Sequence, residues 1–524
     1  MAGRSITIIQ SAVRRPELLA SLSLAIDLGL GQPMEHMLRS CLIALRLAEA
    51  AGMDRAERSV VFYANLLAWI GCHADSHQIA VTFGDDIEFR RRYYSHDRAQ
   101  PGWGLGLASR VGSGAPLTER PRRLGSFLIH GSASMSDLIR SHCLSAGMFA
   151  ERFGLGPDVR EVLPQAFERW DGRGLPMGLA GNQLSLAMRV VHLADILEVH
   201  HRLGGVGRAL KVARQRRGKK FDPDLTDLFC AKVPEILVGL EVEDAWRAVV
   251  DEAPEPGPIL SDRDFDRALE AVADFVDVKS PYTAGHSRGV AALAAEAAMG
   301  IGLPKGEIVR LRRAAWVHDL GRMGISNLVW DKPGRLNAAE WERVRLHPYL
   351  TERMLSRPAA MQALAEVAGR HHERLDGSGY PHGLAASALA PAARLLAAAD
   401  VYHAMVEPRP WRNALAADQA ADQLRHEVRS GRLDGGAVDA VLRAAGHRVG
   451  RRGVWPAGLT SREVEILAMV ARGSSNEELA ARLHISEKTV RNHLEHIYSK
   501  AEVSNRTGAT LFAIEHGLTG HFPH

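Results

Sequence analysis

Apolar residues recur at three- and four-residue spacing along most of the chain, as in Leu38, Leu42 and Leu45 and again in Val290, Leu293 and Ala297. That period puts them on one face of an α-helix, where successive turns bury a common stripe. Near the end, Val490, Leu494 and Ile497 repeat the pattern at i, i+4 and i+7. Alternating runs of strand period are scarce, so the expected fold class is all-α. Two stretches interrupt the helical pattern: residues 251–261, with Pro254, Pro256 and Pro258 at alternate positions, and the Gly/Arg-rich residues 446–458. Read as linkers, they leave blocks 1–250, 262–445 and 459–524.

Laid on one another, the first two blocks show an internal duplication. The phrases Trp170-Asp171-Gly172-Arg173-Gly174-Leu175-Pro176 and Leu375-Asp376-Gly377-Ser378-Gly379-Tyr380-Pro381 share Asp-Gly-x-Gly-x-Pro, and Gly-Leu-Ala follows each one residue later. Asp171 to Asp195 spans 24 residues, as does Asp376 to Asp400; His142 to Asp171 spans 29, as does His347 to Asp376. Upstream, His36 to Gly71 and His286 to Gly321 both span 35 residues. The first copy then carries an insertion near residues 72–141.

A chain of 524 residues is too long for one ordinary core. With 46% hydrophobic and 24% charged residues it reads as globular, which excludes collagen-like and disordered classes. No uncharged apolar run reaches the roughly 18 residues of a membrane span, and the start lacks a basic, then apolar leader, so a cytoplasmic protein with no membrane partner is expected. Cys41, Cys72, Cys143 and Cys230 show no CxxC pair or zinc spacing and read as reduced core residues. A net charge of +4 does not by itself announce a nucleic-acid binder, so any DNA contact must be local.

The second copy gathers His286, His318, Asp319, His347, His371, His372 and Asp400. Imidazole and carboxylate suit Fe, Mn or Zn, and a carboxylate bridging two ions about 3.5–4 Å apart is the arrangement that activates water for phosphoester attack. Adjacent residues such as His318 and Asp319 diverge by about 100° on a helix and can reach different parts of one bimetal site. The first copy is an internal control. It keeps His36, His142 and Asp195, but Ala68-Trp69 stands for His318-Asp319 and Ala166-Phe167 for His371-His372. A duplicate that keeps the scaffold and loses four of seven candidate ligands points to a site in one copy only.

Residues 262–445 resemble the HD-GYP phosphodiesterases through His318-Asp319-Leu320-Gly321, Lys332-Pro333-Gly334, His347-Pro348, His371-His372-Glu373-Arg374-Leu375-Asp376-Gly377-Ser378-Gly379-Tyr380-Pro381, and Ala399-Asp400 followed by Arg409-Pro410-Trp411-Arg412. The resemblance implies a helical domain with a di-iron or di-manganese centre that hydrolyses cyclic di-GMP or a related nucleotide. It assigns one ion to His286, His318, Asp319 and Asp400, and the other to Asp319, His347, His371 and His372. Asp319 and Arg322 take the catalytic roles, and Arg374, Gly377, Gly379, Tyr380 and Pro381 shape the nucleotide site. Arg322 stands where the family usually has lysine, which keeps the positive charge but not proton donation. Tyr282 stands where three-metal members carry glutamate, so two divalent ions are expected.

The first block resembles a degenerate member of the same superfamily. Without the His-Asp pair it is read either as a structural or dimerising domain or as one that senses a nucleotide without turnover. Its basic run, Arg208, Lys211, Arg214, Arg216, Arg217, Lys219 and Lys220, is either a solvated helix end or a phosphate patch.

Residues 459–524 offer two capping boxes, Thr460-x-x-Glu463 and Ser475-x-x-Glu478, and then a helix from Glu487 to Lys500 after a short turn. The polar face of that helix suits the major groove. With seven Lys/Arg against eight Asp/Glu in this block, affinity must come from local contacts and pairing of two copies. Leu459-Thr460-Ser461-Arg462-Glu463, Ser475 to Ala480 and Ile485 to His493 resemble the LuxR-type DNA-binding domain, a four-helix helix-turn-helix fold. The resemblance implies that Arg491 and Asn492 face bases, that Lys488, Thr489 and His493 lie near phosphates, and that a homodimer binds double-stranded DNA. The chain is thus expected to be a transcriptional regulator with a dimetal phosphodiesterase domain. The alternative is a regulator whose pocket senses a nucleotide without catalysis.

Overall fold

The computed structural model describes residues 13–95, 106, 108–113, 118, 120–241, 244–448, 456–483, 485–516 and 518. Among these, regular structure is helical, with only isolated β-bridges. The chain divides into two compact units, residues 1–447 and 448–524. No described helix is long and apolar enough to cross a membrane.

The duplication is visible in matching elements of the first unit. Helices Arg15–Gly29, His36–Ala50 and Arg55–Leu67, with the 3-10 turn Ile70–His73, correspond to Asp262–Asp277, His286–Gly300, Lys305–Val317 and Leu320–Gly324. Leu38, Leu42 and Leu45 are buried on the expected stripe, as are Val290 and Ala297, with Leu293 half-buried. In both copies the second helix is held at its start by an aspartate near the end of the first: Asp27 accepts from Met37 N at 3.0 Å and Asp277 from Ser287 N at 2.8 Å. Gly71 and Gly321 recur for a steric reason. An added Cβ would lie 2.2 Å from His142 O in one copy and 1.9 Å from His347 O in the other, so only glycine lets these segments cross.

The two copies share one packed interior. His73 and Phe149 of the first copy meet Phe275 of the second edge-on at 5.1 and 5.8 Å. The first copy's insertion adds helices Ser76–Phe83 and Asp86–Ser95, which lie against the second copy. Asp86, fully buried, accepts from Ser326 Oγ at 2.8 Å and Asn327 N at 2.7 Å, capping the turn Asn327–Trp330 from the other copy. It also pairs with Arg90 at 3.0 Å and Lys279 at 3.6 Å. Burial pushes its carboxyl up, but Lys279 and Arg90 outweigh that and hold it at about 2.

Where the second copy gathers ligands, the first sets aromatic rings around a cavity of about 60 Å3. Trp69 meets Phe167 at 5.2 Å, His142 meets Phe167 at 4.9 Å, and Tyr94 from the insertion meets Trp69 at 6.4 Å. His36 is held instead by two carboxylates, with Asp195 at 3.0 Å from Nε2 and Glu198 at 2.5 Å from Nδ1. Burial opposes its charge, but Glu198 and Asp195 outweigh it and raise the imidazole to about 10. A histidine raised in the folded state stabilises fully below its unfolded value of about 6.5 and loses that contribution as pH rises towards 10. The thermal midpoint should therefore fall between pH 6.5 and 10, and His36→Gln should flatten that slope; an unchanged slope in the variant would exclude His36 as its source. The basic run is not a uniform solvated end, because Arg216 and Lys220 are buried and Arg217 pairs with Asp227 at 2.6 Å.

The second unit, described by itself, holds helices Ser461–Ala471, Asn476–Leu483, Glu487–Lys500 and Arg506–Glu515. Both capping boxes form, with Glu463 N donating to Thr460 Oγ1 and Glu478 N to Ser475 Oγ, each at 3.2 Å. Val490, Leu494 and Ile497 are buried in the core of this unit with Leu467, Leu479 and Ala513. Lys500 ties the third helix to the first through Glu463 at 2.7 Å.

Candidate metal centre

Three imidazoles are oriented by the same local device. His318 Nδ1 donates to Ala315 O at 2.7 Å, His347 Nδ1 to Val344 O at 2.6 Å and His371 Nδ1 to Ala368 O at 2.6 Å, each three residues back. A ring whose Nδ1 carries the hydrogen presents a bare Nε2 lone pair, which is how metal-ligating histidines are set. These Nε2 atoms converge. His347 Nε2 and His371 Nε2 stand 3.1 Å apart, and buried His318 Nε2 has no hydrogen-bond partner.

Asp319 lies between two groups of imidazoles. Its Oδ1 is 3.4 Å from His347 Nε2 and 3.7 Å from His371 Nε2; its Oδ2 is 3.6 Å from His318 Nε2 and 4.0 Å from His286 Nε2. Asp400 Oδ1 is 3.2 Å from His286 Nε2 and 3.7 Å from His318 Nε2, while Oδ2 is 3.8 Å from His372 Nδ1. All seven expected ligands thus meet in one buried place, in overlapping sets that include His286, His318 and Asp400, and His347, His371 and His372.

The electrostatics suit cations. Burial raises the Asp319 carboxyl, but His318, Arg322, His347 and His371 hold it well below the usual range, so it is ionised. Burial lowers His347 to about 4 and His371 to about 3, leaving both neutral at pH 7. Burial also opposes charge on His286, yet Asp400 and Glu407 raise it to about 9, so the carboxylates around this ring call for positive charge, which a bound ion would supply in place of the proton. Two bare nitrogens 3.1 Å apart repel unless a cation lies between them, and ligand bonds of about 2.1 Å at right angles require a separation of about 3.0 Å. The residues present therefore fit divalent metal.

Arg322 is buried and donates to Asp319 Oδ2 at 2.8 Å and Thr283 Oγ1 at 3.3 Å, with its guanidinium 4.1 Å from the centre of the Trp330 ring. It anchors the central carboxylate as a fixed cation. The loop after the paired histidines is shaped by Glu373, whose carboxylate accepts from His382 N at 2.7 Å and Leu384 N at 2.8 Å. A Cβ on Gly379 would lie 2.4 Å from Arg374 N, so this strand of the loop can only be glycine. Gly377 turns it at φ +77°, and Pro381 follows Tyr380 through a cis bond. Tyr380 thereby comes 4.8 Å from His372, ring to ring. Arg374 donates to Glu373 O at 2.9 Å, so its guanidinium braces the loop.

Sequence reasoning missed Glu407 and His403. Glu407 Oε2 is 2.8 Å from His286 Nδ1, and Oε1 is 3.1 Å from His403 Nδ1. Their signal was the i, i+3, i+7 spacing of Asp400, His403 and Glu407 around the helix Pro391–Val406. Orienting partners of this kind usually contribute 10–100-fold to metal affinity. Glu407→Gln should weaken metal binding by about that factor, read by titrating the stripped protein with Mn; unchanged affinity would remove Glu407 from this role. In the second unit, Lys488, Arg491 and Asn492 are exposed and Thr489 and His493 half-buried on the helix Glu487–Lys500.

Two families of proteins match this chain. The HD-domain model matches residues 100–225 and 270–436, more than half of the chain and both copies. The chain belongs to the HD-domain family. As a member it is a metal-dependent phosphohydrolase, and the degenerate first copy is part of the same match. Residues 457–513 match the luxR family of bacterial regulatory proteins, which identifies the helix-turn-helix. A 3'3'-cGAMP-specific phosphodiesterase of Vibrio cholerae is 32% identical over 79% of this HD-domain chain and 91% of its own length. A cyclic di-GMP phosphodiesterase response regulator of Xanthomonas campestris is 35% identical over 33% of the chain and 47% of its own length. The crystal structure of a cyclic GMP-AMP-specific phosphodiesterase of V. cholerae superimposes with a TM-score of 0.59 and 27% identity, covering 83% of this chain and 98% of that one.

Proposed function

We propose that the chain is a DNA-binding regulator, with domains at 1–250, 262–445 and 459–524, whose second HD copy hydrolyses a cyclic dinucleotide. The observation that carries the reading is Asp319, with one oxygen towards His347 and His371 and the other towards His286 and His318. That placement supports two divalent ions, Fe or Mn, one held by His286, His318, Asp319 and Asp400 and the other by Asp319, His347, His371 and His372. When bound, the ions polarise the phosphoryl oxygens and make water acidic enough to attack at neutral pH. Arg322 fixes Asp319 and keeps it ionised. The Gly377–Pro381 loop sets Tyr380 beside His372.

The leading substrate is 3'3'-cGAMP. One relative named for that dinucleotide matches across both copies, whereas two others named for it and those named for cyclic di-GMP match about a third of the chain. Cyclic di-GMP is the second reading, supported by relatives named for it that are 33–35% identical over about a third of the chain, where a 3'3'-cGAMP-specific relative is 37% identical. Hydrolysis of either one by the Mn- or Fe-loaded chain tests the enzymatic part; metal-loaded protein that binds without turnover would instead be a nucleotide sensor.

The regulatory part rests on the exposed face of Glu487–Lys500. Arg491 and Asn492 read bases, Lys488, Thr489 and His493 lie near phosphates, and two copies bind a two-fold site in double-stranded DNA. Arg491→Ala should cost about 1–3 kcal/mol at the preferred DNA site and relax its sequence preference, whereas Lys488→Ala should weaken all sites alike and lower the salt slope by about one. An Arg491 variant that binds every DNA site as the wild type does, with the same preference among them, would reject the assignment.

A further inference from the structure

Next to the metal centre lies an open groove of about 800 Å3, lined by Trp330, Trp341, Trp411, Val344, Leu336 and Arg335 among others. Its size falls in the range of small-ligand sites. Trp341 and Trp411 are about half exposed, 47% and 52%, although residues of this size are usually covered. Arg335 is exposed at the same edge.

The groove is continuous with the candidate centre through shared residues. Val344 is one of its lining residues, and its carbonyl accepts from His347 Nδ1. Trp330 is in the wall and meets His347 edge-on at 5.5 Å. Tyr380 links the other side, with its ring 4.8 Å from His372 and 6.3 Å from Trp341. A chain of aromatic faces therefore leads outward from the imidazoles.

We propose that this groove is a base-stacking subsite in which Trp341 and Trp411 hold the purine of a cyclic dinucleotide that lies away from the scissile phosphate. This rests on the dinucleotide reading above. A cyclic dinucleotide carries its two bases on either side of a phosphate ring, so seating one phosphodiester at the centre leaves one base to find a surface beyond it. The π-face of a purine is large, and indole rings stack on any base. Arg335 adds a cation and a planar fork suited to base edges and to the second phosphate. An apolar partner protein is a poorer fit, because a positive edge and a phosphodiester-cleaving centre open on the same space.

The test is calorimetric titration of 3'3'-cGAMP into the full chain stripped of metal, so that no turnover is needed. Trp341→Ala and Trp411→Ala should each weaken binding about tenfold, which is about 1.4 kcal/mol. Trp341→Phe should restore most of the affinity, and all variants should melt at the wild-type temperature because both indoles are exposed. Affinity unchanged in both alanine variants, or no binding to the wild type, would overturn the subsite. Tryptophan-dependent binding with no hydrolysis after metal loading would leave the subsite standing and remove the enzymatic reading instead.

Discussion

Replacing Asp319 with alanine will abolish turnover and strip the chain of bound metal. The carboxylate stands within 3.4–4.0 Å of imidazoles on both sides of the centre, one oxygen towards each side, so its loss affects both ion positions at once. It also frees the Arg322 guanidinium, which would then leave a cation unpaired beside the ions. A fall in kcat of at least about a thousandfold is expected, equivalent to about 4 kcal/mol of transition-state stabilisation. Elemental analysis should find two ions per wild-type chain and a deficit in the variant. A variant that keeps both ions and a tenth of its activity would exclude Asp319 as the bridge.

The second large effect is on folding. Asp86→Ala leaves Lys279 and Arg90 charged in the interior and uncaps the turn Asn327–Trp330. Breaking a buried ion pair by removing one partner costs about 3–5 kcal/mol, mostly the penalty of the stranded charge. The urea midpoint of the first unit should drop accordingly. The double variant Asp86→Ala, Lys279→Met should recover part of the loss, because the stranded ammonium is gone. A single variant as stable as the wild type would mean that the two copies are not held together here.

The ligand set was legible because its residues sit in compact linear motifs whose spacing repeats between copies. The empty-of-ligand first copy was legible as substitutions, Trp69 for Asp319 and Phe167 for His372. That those rings close in on the vacated space together with Tyr94 was not, since Tyr94 comes from the insertion, where no register guides the eye. Asp86 and Lys279 belong to no motif and lie far apart in sequence; only tertiary packing makes them a buried pair. Glu407 was hidden differently. It follows the last turn of its helix, where a glutamate usually faces water, and its partner His286 lies 121 positions earlier. The helix-turn-helix was the most legible part, since capping boxes and an i, i+4, i+7 stripe are local and depend on no distant residue.

The central claim, that the second copy is a working phosphodiesterase, is tested most directly by chromatography of products after the Mn- or Fe-loaded chain meets 3'3'-cGAMP, run beside Asp319→Ala and beside cyclic di-GMP. The wild type should yield linear dinucleotide or mononucleotides, faster from 3'3'-cGAMP, and the variant should leave the substrate intact. Intact 3'3'-cGAMP and intact cyclic di-GMP after incubation with wild-type protein carrying two ions per chain would contradict the claim.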